Sequence, residues 1–142
     1  MTVRTGQEYT DGLRDQREVW YGGKQVADVT SFEEFRPTID AFAQLYDMQH
    51  DPEFASTLVV QSTTLGEPIG RAFEFVYDIQ QLVKKREAYM FWARTNCGML
   101  GRSPDFLNAM LTALAAKHRF FAEGGEDRAE AVVNYYEHVA RN

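Results

Sequence analysis

The chain has 142 residues and a formal net charge of −6; 44% of its residues are hydrophobic and 13% are aromatic. This length allows one domain at most, or a piece of a larger protein, and a chain of this size buries roughly 68–70% of its unfolded surface. The aromatic content excludes a disordered chain. The acidic balance argues against nucleic acid as the main partner, because binding phosphates requires a basic surface.

The single cysteine, Cys97, cannot form an internal disulfide, which is typical of proteins in a reducing compartment. No apolar run approaches the ~20 residues of a membrane span, and the N-terminus lacks the apolar stretch of a signal peptide. We therefore expect a cytoplasmic protein that binds neither membranes nor nucleic acid.

Short elements alternate in the first half of the chain. A capping-box pattern at Thr5 and Glu8 predicts a short amphipathic helix that extends to Gln16. Residues that favour strands flank the pair Gly22-Gly23 and predict a hairpin. The next predicted elements are a helix from Pro37 to Gln49 and two extended segments, residues 58–61 and 67–75, which form either a second hairpin or a loop with strand character.

The second half of the chain has the apolar spacing of three helices. The first is predicted from Asp78 to about Asn96, with a core face made of Ile79, Leu82, Val83, Tyr89, Met90 and Ala93. Within this helix, Lys84, Lys85 and Arg86 point about 100° apart in succession. We therefore interpret them as a solvated face and not as a basic binding patch.

The second of these helices is predicted from Ser103 to about Phe121, with an apolar stripe at Leu107, Met110, Leu111, Leu114, His118 and Phe121. Further apolar residues widen this stripe, so we expect the helix to be buried from several directions, with His118 as a core histidine. A turn at residues 123–127 precedes the third helix, whose inward residues are predicted to be Ala129, Val132, Val133, Tyr136 and Ala140.

The residues between the first two of these helices contain the main candidate site. Ser103 can cap the incoming helix, and Pro104 suits its first position. Arg102 beside a helix N-terminus is favoured when both share an anion or an oxygen that acquires negative charge. The alternative is a simple turn from which Arg102 points into water.

The chain has no nucleotide-binding glycine loop, no catalytic serine or zinc-protease motif and no metal-ligand spacing among its three histidines and one cysteine. Composition and spacing by themselves therefore indicate only a mainly helical domain.

Five segments, however, resemble one known family in the same order. They are Arg4–Tyr9 (RTGQEY) before a Trp-Tyr-Gly hairpin, Leu45–Pro52 (LYDMQHDP), Thr64–Pro68 (TLGEP), Gly98–Asp105 (GMLGRSPD) and Asn134–Tyr136 (NYY). The family is the 4-hydroxyphenylacetate 3-monooxygenase group, the oxygenase component of two-component flavin-dependent monooxygenases.

The resemblance implies an acyl-CoA-dehydrogenase-like fold, of which residues 1–142 form the N-terminal helical domain. By the same resemblance, we expect the flavin-binding β-domain and the C-terminal helical bundle to be absent from this chain. It also implies reduced FAD as cofactor, with FMN as the alternative, supplied by a separate flavin reductase. In such enzymes the flavin reacts with O2 to a C4a-hydroperoxide that hydroxylates an aromatic substrate ortho to its phenolic oxygen.

The resemblance also implies site residues. The family arginine that reaches the phenolic oxygen corresponds to Arg102, and the family tyrosine four residues later corresponds to Phe106, which has no hydroxyl. The family histidine falls beyond Asn142, since His138 comes too early to match it. Arg102 is thus the expected catalytic residue, and Arg102 with Phe106 the expected substrate contacts.

We therefore expect an incomplete and inactive chain that needs the rest of the enzyme or a second subunit, in a homo- or hetero-oligomer. Two alternatives stay open. One is a non-catalytic helical assembly subunit. The other is a flavoprotein like the 4-hydroxybutyryl-CoA dehydratases, for which Cys97 alone provides too few thiolates to hold an iron–sulfur cluster.

Overall fold

The computed structural model describes residues 3–99 and 104–141, with side chains from residue 106 onward in the second range. The α-helices span Gly6–Gly12 (α1), Arg36–Asp47 (α2), Ala55–Leu58 (α3), Ile79–Thr95 (α4), Pro104–Ala116 (α5) and Glu126–Arg141 (α6). The strands are Val19–Tyr21 (β1), Lys24–Val26 (β2), Val59–Gln61 (β3) and Pro68–Gly70 (β4), and 3₁₀ turns lie at Arg71–Phe73 and His118–Gly124. The predicted mainly helical fold with two small hairpins is confirmed. No helix in the described ranges is long and apolar enough to cross a membrane.

Helix α1 has the capping box that its sequence predicts, and it packs against α2. Thr5 Oγ1 accepts a hydrogen bond from the Glu8 amide at 3.1 Å, and Glu8 accepts one from the Thr5 amide at 2.8 Å. The Gly6 amide donates to Asp47 of α2 at 2.7 Å, and a Cβ at Gly6 would lie 2.5 Å from the Ala43 carbonyl oxygen. Glycine therefore allows the two helices to touch. The helix ends at Gly12, short of the predicted Gln16, because glycine is a poor helix former.

Both hairpins are antiparallel. Gly22 and Gly23 have φ of +55° and +78°, the left-handed pair that a two-residue hairpin turn requires. In the second hairpin, buried Ser62 accepts from the Leu65 amide at 3.0 Å and closes the loop between β3 and β4. The second segment is extended only to Gly70, because residues 71–73 form a 3₁₀ turn where a longer strand was predicted.

Two buried clusters meet at that 3₁₀ turn. The first packs α2, α3 and α4 together and contains Leu45, Leu58, Ala72, Ala88 and Trp92. The second packs β4 against α5 and α6 and contains Ile69, Ala115, Tyr136 and Ala140. The Tyr136 hydroxyl donates to the Phe73 carbonyl at 2.8 Å, which links α6 to the turn. For α6 the predicted inward residues are confirmed as buried or half-buried.

Helix α4 buries a different face from the predicted one. Ile79 is 65% exposed, and Leu82, Val83, Met90 and Ala93 are also exposed, so of the predicted core face only Tyr89 is half-buried. The buried stripe is Lys85, Ala88 and Trp92. Apolar residues lie all around α4, so periodicity alone does not determine which side faces the core. The contact with α3 and the 3₁₀ turn at residues 71–73 determines it.

Arg71 connects the irregular middle of the chain. It is 7% exposed and donates to the carbonyl oxygens of Thr57 at 2.6 Å, Ser56 at 2.9 Å and Val59 at 3.2 Å. It also pairs with Glu74 at 3.0 Å. One planar guanidinium thus satisfies the backbone where α3 passes into β3, and a carboxylate balances its charge.

Replacing Arg71 by Met should lower the free energy of unfolding by about 3–5 kcal/mol, because it leaves Glu74 buried without its cation and three carbonyls without a donor. Chemical denaturation followed by circular dichroism measures this. Arg86→Met on the exposed side of α4 is the matched control and should change stability by less than about 0.5 kcal/mol. Equal losses in the two variants would contradict the assigned role of Arg71.

Lys85 corrects the interpretation of the basic run as a solvated face. Lys84 and Arg86 are exposed, but Lys85 is 6% exposed and its Nζ donates to the Glu74 carbonyl at 2.8 Å. Burial lowers the pKa of Lys85 from 10.5 to about 8, and the nearby Glu74 partly offsets that shift. The ammonium therefore holds the chain after the 3₁₀ turn against α4.

The Lys85 pKa predicts a pH dependence. Between about pH 8 and 10.5 the unfolded chain keeps a proton that the folded chain has lost, so the unfolding free energy rises with pH in that window. Relative to Lys85→Met, the native protein should gain up to about 3 kcal/mol across it. Denaturation at several pH values checks this, and Lys84→Met should show no such gain. A flat difference between native and Lys85→Met proteins would refute it.

Candidate functional site

The turn that follows α4 leads into the predicted site. Cys97 and Gly98 have φ of +54° and +71°, and the Gly98 amide donates to the Ala93 carbonyl at 2.7 Å. This left-handed pair ends α4, as glycine-rich helix stops do. Arg102 and the capping residue Ser103 lie outside the described residues, so their predicted roles stay predictions.

Helix α5 starts at Pro104, as the sequence predicts, and ends at Ala116 instead of about Phe121. Phe106 lies in its first turn with 51% of its surface exposed. Leu107, Met110 and Leu114 continue this exposed apolar side, and Leu107 is 60% exposed. The opposite side is buried at Thr112 and Ala115. Burial from several directions is therefore wrong for this chain, because the described part of it covers only one side of α5.

A concave pocket of about 280 Å³ lies on the other side of α5, bordered by the N-terminal segment, α2, β4, α4, α5 and α6. We call it the α2–α6 pocket. Its four aromatic lining residues are Phe42, Tyr46, Phe73 and Trp92. Its polar lining residues include the amides Gln49 and Asn108 and the histidine His138. Phe106 is not part of its wall. Phe106 and the pocket are therefore on different sides of α5.

Charged side chains border the pocket. Arg141 contacts Glu67 at 2.6 Å and Glu137 at 3.0 Å. The hydrogen bond between Arg141 and Glu67 lowers the pKa of the Glu67 carboxyl. These contacts join the end of α6 to the start of β4. Elsewhere on α6, burial raises the pKa of Tyr136 to about 12, so its hydroxyl stays a donor to the Phe73 carbonyl.

The three histidines do not lie together in a metal or catalytic centre. His118 is half-buried and its Nδ1 lies 2.9 Å from the Ala115 carbonyl oxygen, in agreement with a structural histidine. His50 Nε2 lies 3.3 Å from the Arg4 carbonyl oxygen, and His138 borders the α2–α6 pocket. No group of three or more metal-ligating side chains occurs within residues 3–99 and 106–141.

Sequence reasoning did not find the α2–α6 pocket. No sequence motif marks Trp92 or Asn108 as pocket residues, because only the packing of three helices brings them together. Part of a signal was present, since three of the segments that resemble the flavin monooxygenases contribute to the wall. They supply Arg4, then Leu45, Tyr46 and Gln49, and finally Glu67 and Pro68.

Comparison with solved structures defines the class. The oxygenase component of 4-hydroxyphenylacetate 3-monooxygenase, complexed with FAD and 4-hydroxyphenylacetate, superposes with a TM-score of 0.86 and 39% identity over 96% of this chain and 28% of that one. A 4-hydroxybutyryl-CoA dehydratase from N. maritimus, 18% identical, superposes with a TM-score of 0.79 over 97% of this chain and 27% of that one, which shows a common fold alone. The fold is therefore that of the helical N-terminal part of an acyl-CoA-dehydrogenase-like fold.

Sequence comparison then gives the family. The model for the N-terminal part of 4-hydroxyphenylacetate 3-hydroxylase matches residues 5–142, so the chain belongs to this family. The 4-hydroxyphenylacetate 3-monooxygenase oxygenase component of Geobacillus sp. (strain PA-9) is 39% identical over 141 residues, which are 98% of this chain and 28% of that protein. The chain thus spans between a quarter and a third of the length of that relative.

Proposed function

We propose that residues 1–142 are the N-terminal helical domain of a reduced-flavin-dependent monooxygenase that hydroxylates a phenol ortho to its hydroxyl group. A separate flavin reductase supplies the reduced cofactor. The family match over residues 5–142 carries this proposal, and the signature segment that contains Arg102 lies inside the matched range.

The described residues do not form a complete site for FAD. Three pockets among them have volumes of about 280, 310 and 230 Å³, close to the lower end of the range of roughly 300–1,000 Å³ typical of ligand sites, and a dinucleotide needs more. FAD, which supplies the oxygen chemistry in the solved relatives, would therefore be held mostly by a β-domain and a C-terminal bundle, either on a longer chain or on a second subunit.

The exposed side of α5 supports this incompleteness. Leu107, Met110 and Leu114 form an apolar stripe with Phe106 and are exposed to between 38% and 60%. Burying a side chain of this size stabilises a protein by about 1.5–3 kcal/mol, so a stripe of four is a strong site for further protein to pack. Phe106, the first residue of the stripe, follows Arg102 by four positions in the sequence.

Arg102 is proposed to hold the phenolic oxygen. It comes two residues before the first residue of α5, where the helix dipole also favours negative charge. A fixed cation at that position stabilises the phenolate, and the phenolate ring is the electron-rich form that an electrophilic oxygen attacks. Arg102 therefore both binds the substrate and prepares its ring.

Phe106 is proposed to be the point of specificity. It keeps an aromatic wall but removes the one hydroxyl that its tyrosine counterpart would offer to the substrate. The substrate would then present its hydroxyl to Arg102 alone, or would carry a substituent where a tyrosine hydroxyl would clash.

A second candidate function is favoured by the same apolar stripe: a non-catalytic assembly subunit whose α5 face binds another chain. The two candidates differ in the behaviour of the partner. Under the catalytic reading, the partner lacks its own N-terminal helical domain and gains bound flavin from the complex. Under the assembly reading, the partner is a complete enzyme without this chain.

The isolated chain should retain no FAD and consume no oxygen above the rate of free reduced flavin. A chimera in which it replaces the matched N-terminal part of the Geobacillus relative should retain FAD and hydroxylate a phenol. Absorbance of bound flavin and product chromatography measure both. Turnover by the isolated chain would overturn the incompleteness, and a folded chimera that binds FAD but hydroxylates no phenol would overturn the function.

In that chimera, Arg102→Gln should lower kcat/KM by on the order of 10²-fold, because it removes the charge that stabilises the phenolate. Phe106→Tyr should change the preference among 4-substituted phenols while FAD binding stays the same. Arg94→Gln, which removes an exposed arginine of the last turn of α4, is the control. A substrate profile unaltered by Phe106→Tyr would rule out the specificity role.

A further inference from the structure

We propose that the α2–α6 pocket binds a small uncharged aromatic carboxamide, such as benzamide. This binding does not depend on the proposed monooxygenase activity. Three features of the pocket carry the inference: two carboxamide side chains that are accessible at its wall, aromatic side chains that line it, and a cation at its border that two carboxylates already neutralise.

The two carboxamides belong to Gln49, which follows α2, and to Asn108 of α5. Both residues line the pocket and are half-buried. Neither side chain makes a hydrogen bond to another described residue, and no oxygen or nitrogen of either carboxamide is sealed from solvent. Both groups can therefore form hydrogen bonds with a molecule that enters the pocket.

The packing against β4 determines where the Gln49 carboxamide lies. A Cβ at Gly70 would be 3.0 Å from Gln49 Oε1, and Gly70 also lines the pocket. The carboxamide of Gln49 thus occupies the space that the missing side chain leaves beside β4. Asn108 contributes to the wall from α5, so the two carboxamides border the pocket from different elements.

The chemistry of a carboxamide selects its partner. Each Asn or Gln side chain carries an acceptor oxygen and an NH₂ donor side by side in one plane. A ligand that satisfies both must present a donor beside an acceptor, as a primary carboxamide does. A ketone offers only the acceptor, and a hydrocarbon offers neither. The two side chains therefore favour a carboxamide over a ketone of the same shape.

The aromatic lining determines the shape of the rest of the ligand. Phe42 and Tyr46 border the pocket and pack on Tyr9, whose ring centroid lies 5.1 Å from that of Tyr46 and 6.1 Å from that of Phe42. Flat rings pack favourably against such side chains. A volume of about 280 Å³ lies near the lower end for ligand sites, so the ligand has one ring.

The charges at the border favour an uncharged ligand. Arg141 lines the pocket, but it contacts Glu67 at 2.6 Å and Glu137 at 3.0 Å. Two carboxylates therefore already neutralise this guanidinium, and an anionic ligand would be repelled by them. Benzoate, which has the shape of benzamide and a negative charge, should accordingly bind less tightly than benzamide.

The test compares three probes of nearly the same planar shape: benzamide, acetophenone and α-methylstyrene. In this order the probes carry a donor with an acceptor, an acceptor alone, and neither. In two-dimensional NMR spectra of the 15N-labelled chain, benzamide should shift the backbone amide signals of Val139 and Ala140, which line the pocket, in a saturable way. Affinity should fall about fivefold at each step of the series, the factor that one ordinary hydrogen bond contributes.

Variants of the carboxamides test the assigned contacts. Gln49→Met and Asn108→Leu keep the approximate shape and remove the polar groups, so each should lower the affinity for benzamide about fivefold. The affinity for α-methylstyrene should stay unchanged, which also shows that the pocket is still formed. Gln44→Met is the matched control, because Gln44 is an exposed residue of α2 outside the pocket wall.

A second pair of variants locates the binding. Val139→Phe places a ring in the pocket wall and should abolish binding of every probe. Val133→Phe is its control, because Val133 is a half-buried residue of the same helix outside that wall.

Four outcomes would overturn the proposal. They are the absence of a saturable shift with benzamide, a benzamide affinity no higher than that of acetophenone or benzoate, an unchanged benzamide affinity in either carboxamide variant, and a loss of binding in Val133→Phe as large as in Val139→Phe. None of them bears on the hydroxylation of phenols, which the chimera tests separately.

Discussion

The buried guanidinium of Arg71 is the interaction on which the rest of this domain depends. Helix α3 has a single turn and β3 has three residues, so neither is stable alone, and the carbonyls between them need a donor. Arg71 provides it, and the 3₁₀ turn that carries Arg71 also places Ala72 in one buried cluster and the Phe73 carbonyl under Tyr136. Both halves of the domain are thereby fixed to one short segment.

That arrangement gives α5 two unlike sides. One side packs on the 3₁₀ turn and on α6 and closes the α2–α6 pocket through Asn108. The other side exposes Phe106 and Leu107. In the sequence, these two residues come shortly after Arg102. An exposed apolar side of this length is uncommon on a protein that works alone and is typical of a surface that other protein covers.

Much of the fold could be predicted because local signals agree with the final structure. The Thr5–Glu8 capping box, the Gly22-Gly23 turn and the start of α5 at Pro104 are short-range features, and each is found where it was predicted. The site was accessible only through the resemblance of separated segments to a family. That resemblance identified the family correctly, while the roles of Arg102 and Phe106 stay predictions.

The sequence by itself determined the cap of α1, the Gly22-Gly23 turn, the start of α5 and the family, because caps, turns and family motifs are local in the chain. The tertiary structure alone decided which faces of α4 and α5 are buried. Helix α4 has apolar residues on all sides, and it buries Lys85 because Glu74 offers a carbonyl there, while Ile79 faces outward. It also created the α2–α6 pocket, whose wall joins Gln49 to Asn108 across 59 positions of sequence. Periodicity describes one element at a time, whereas burial depends on which partner lies opposite.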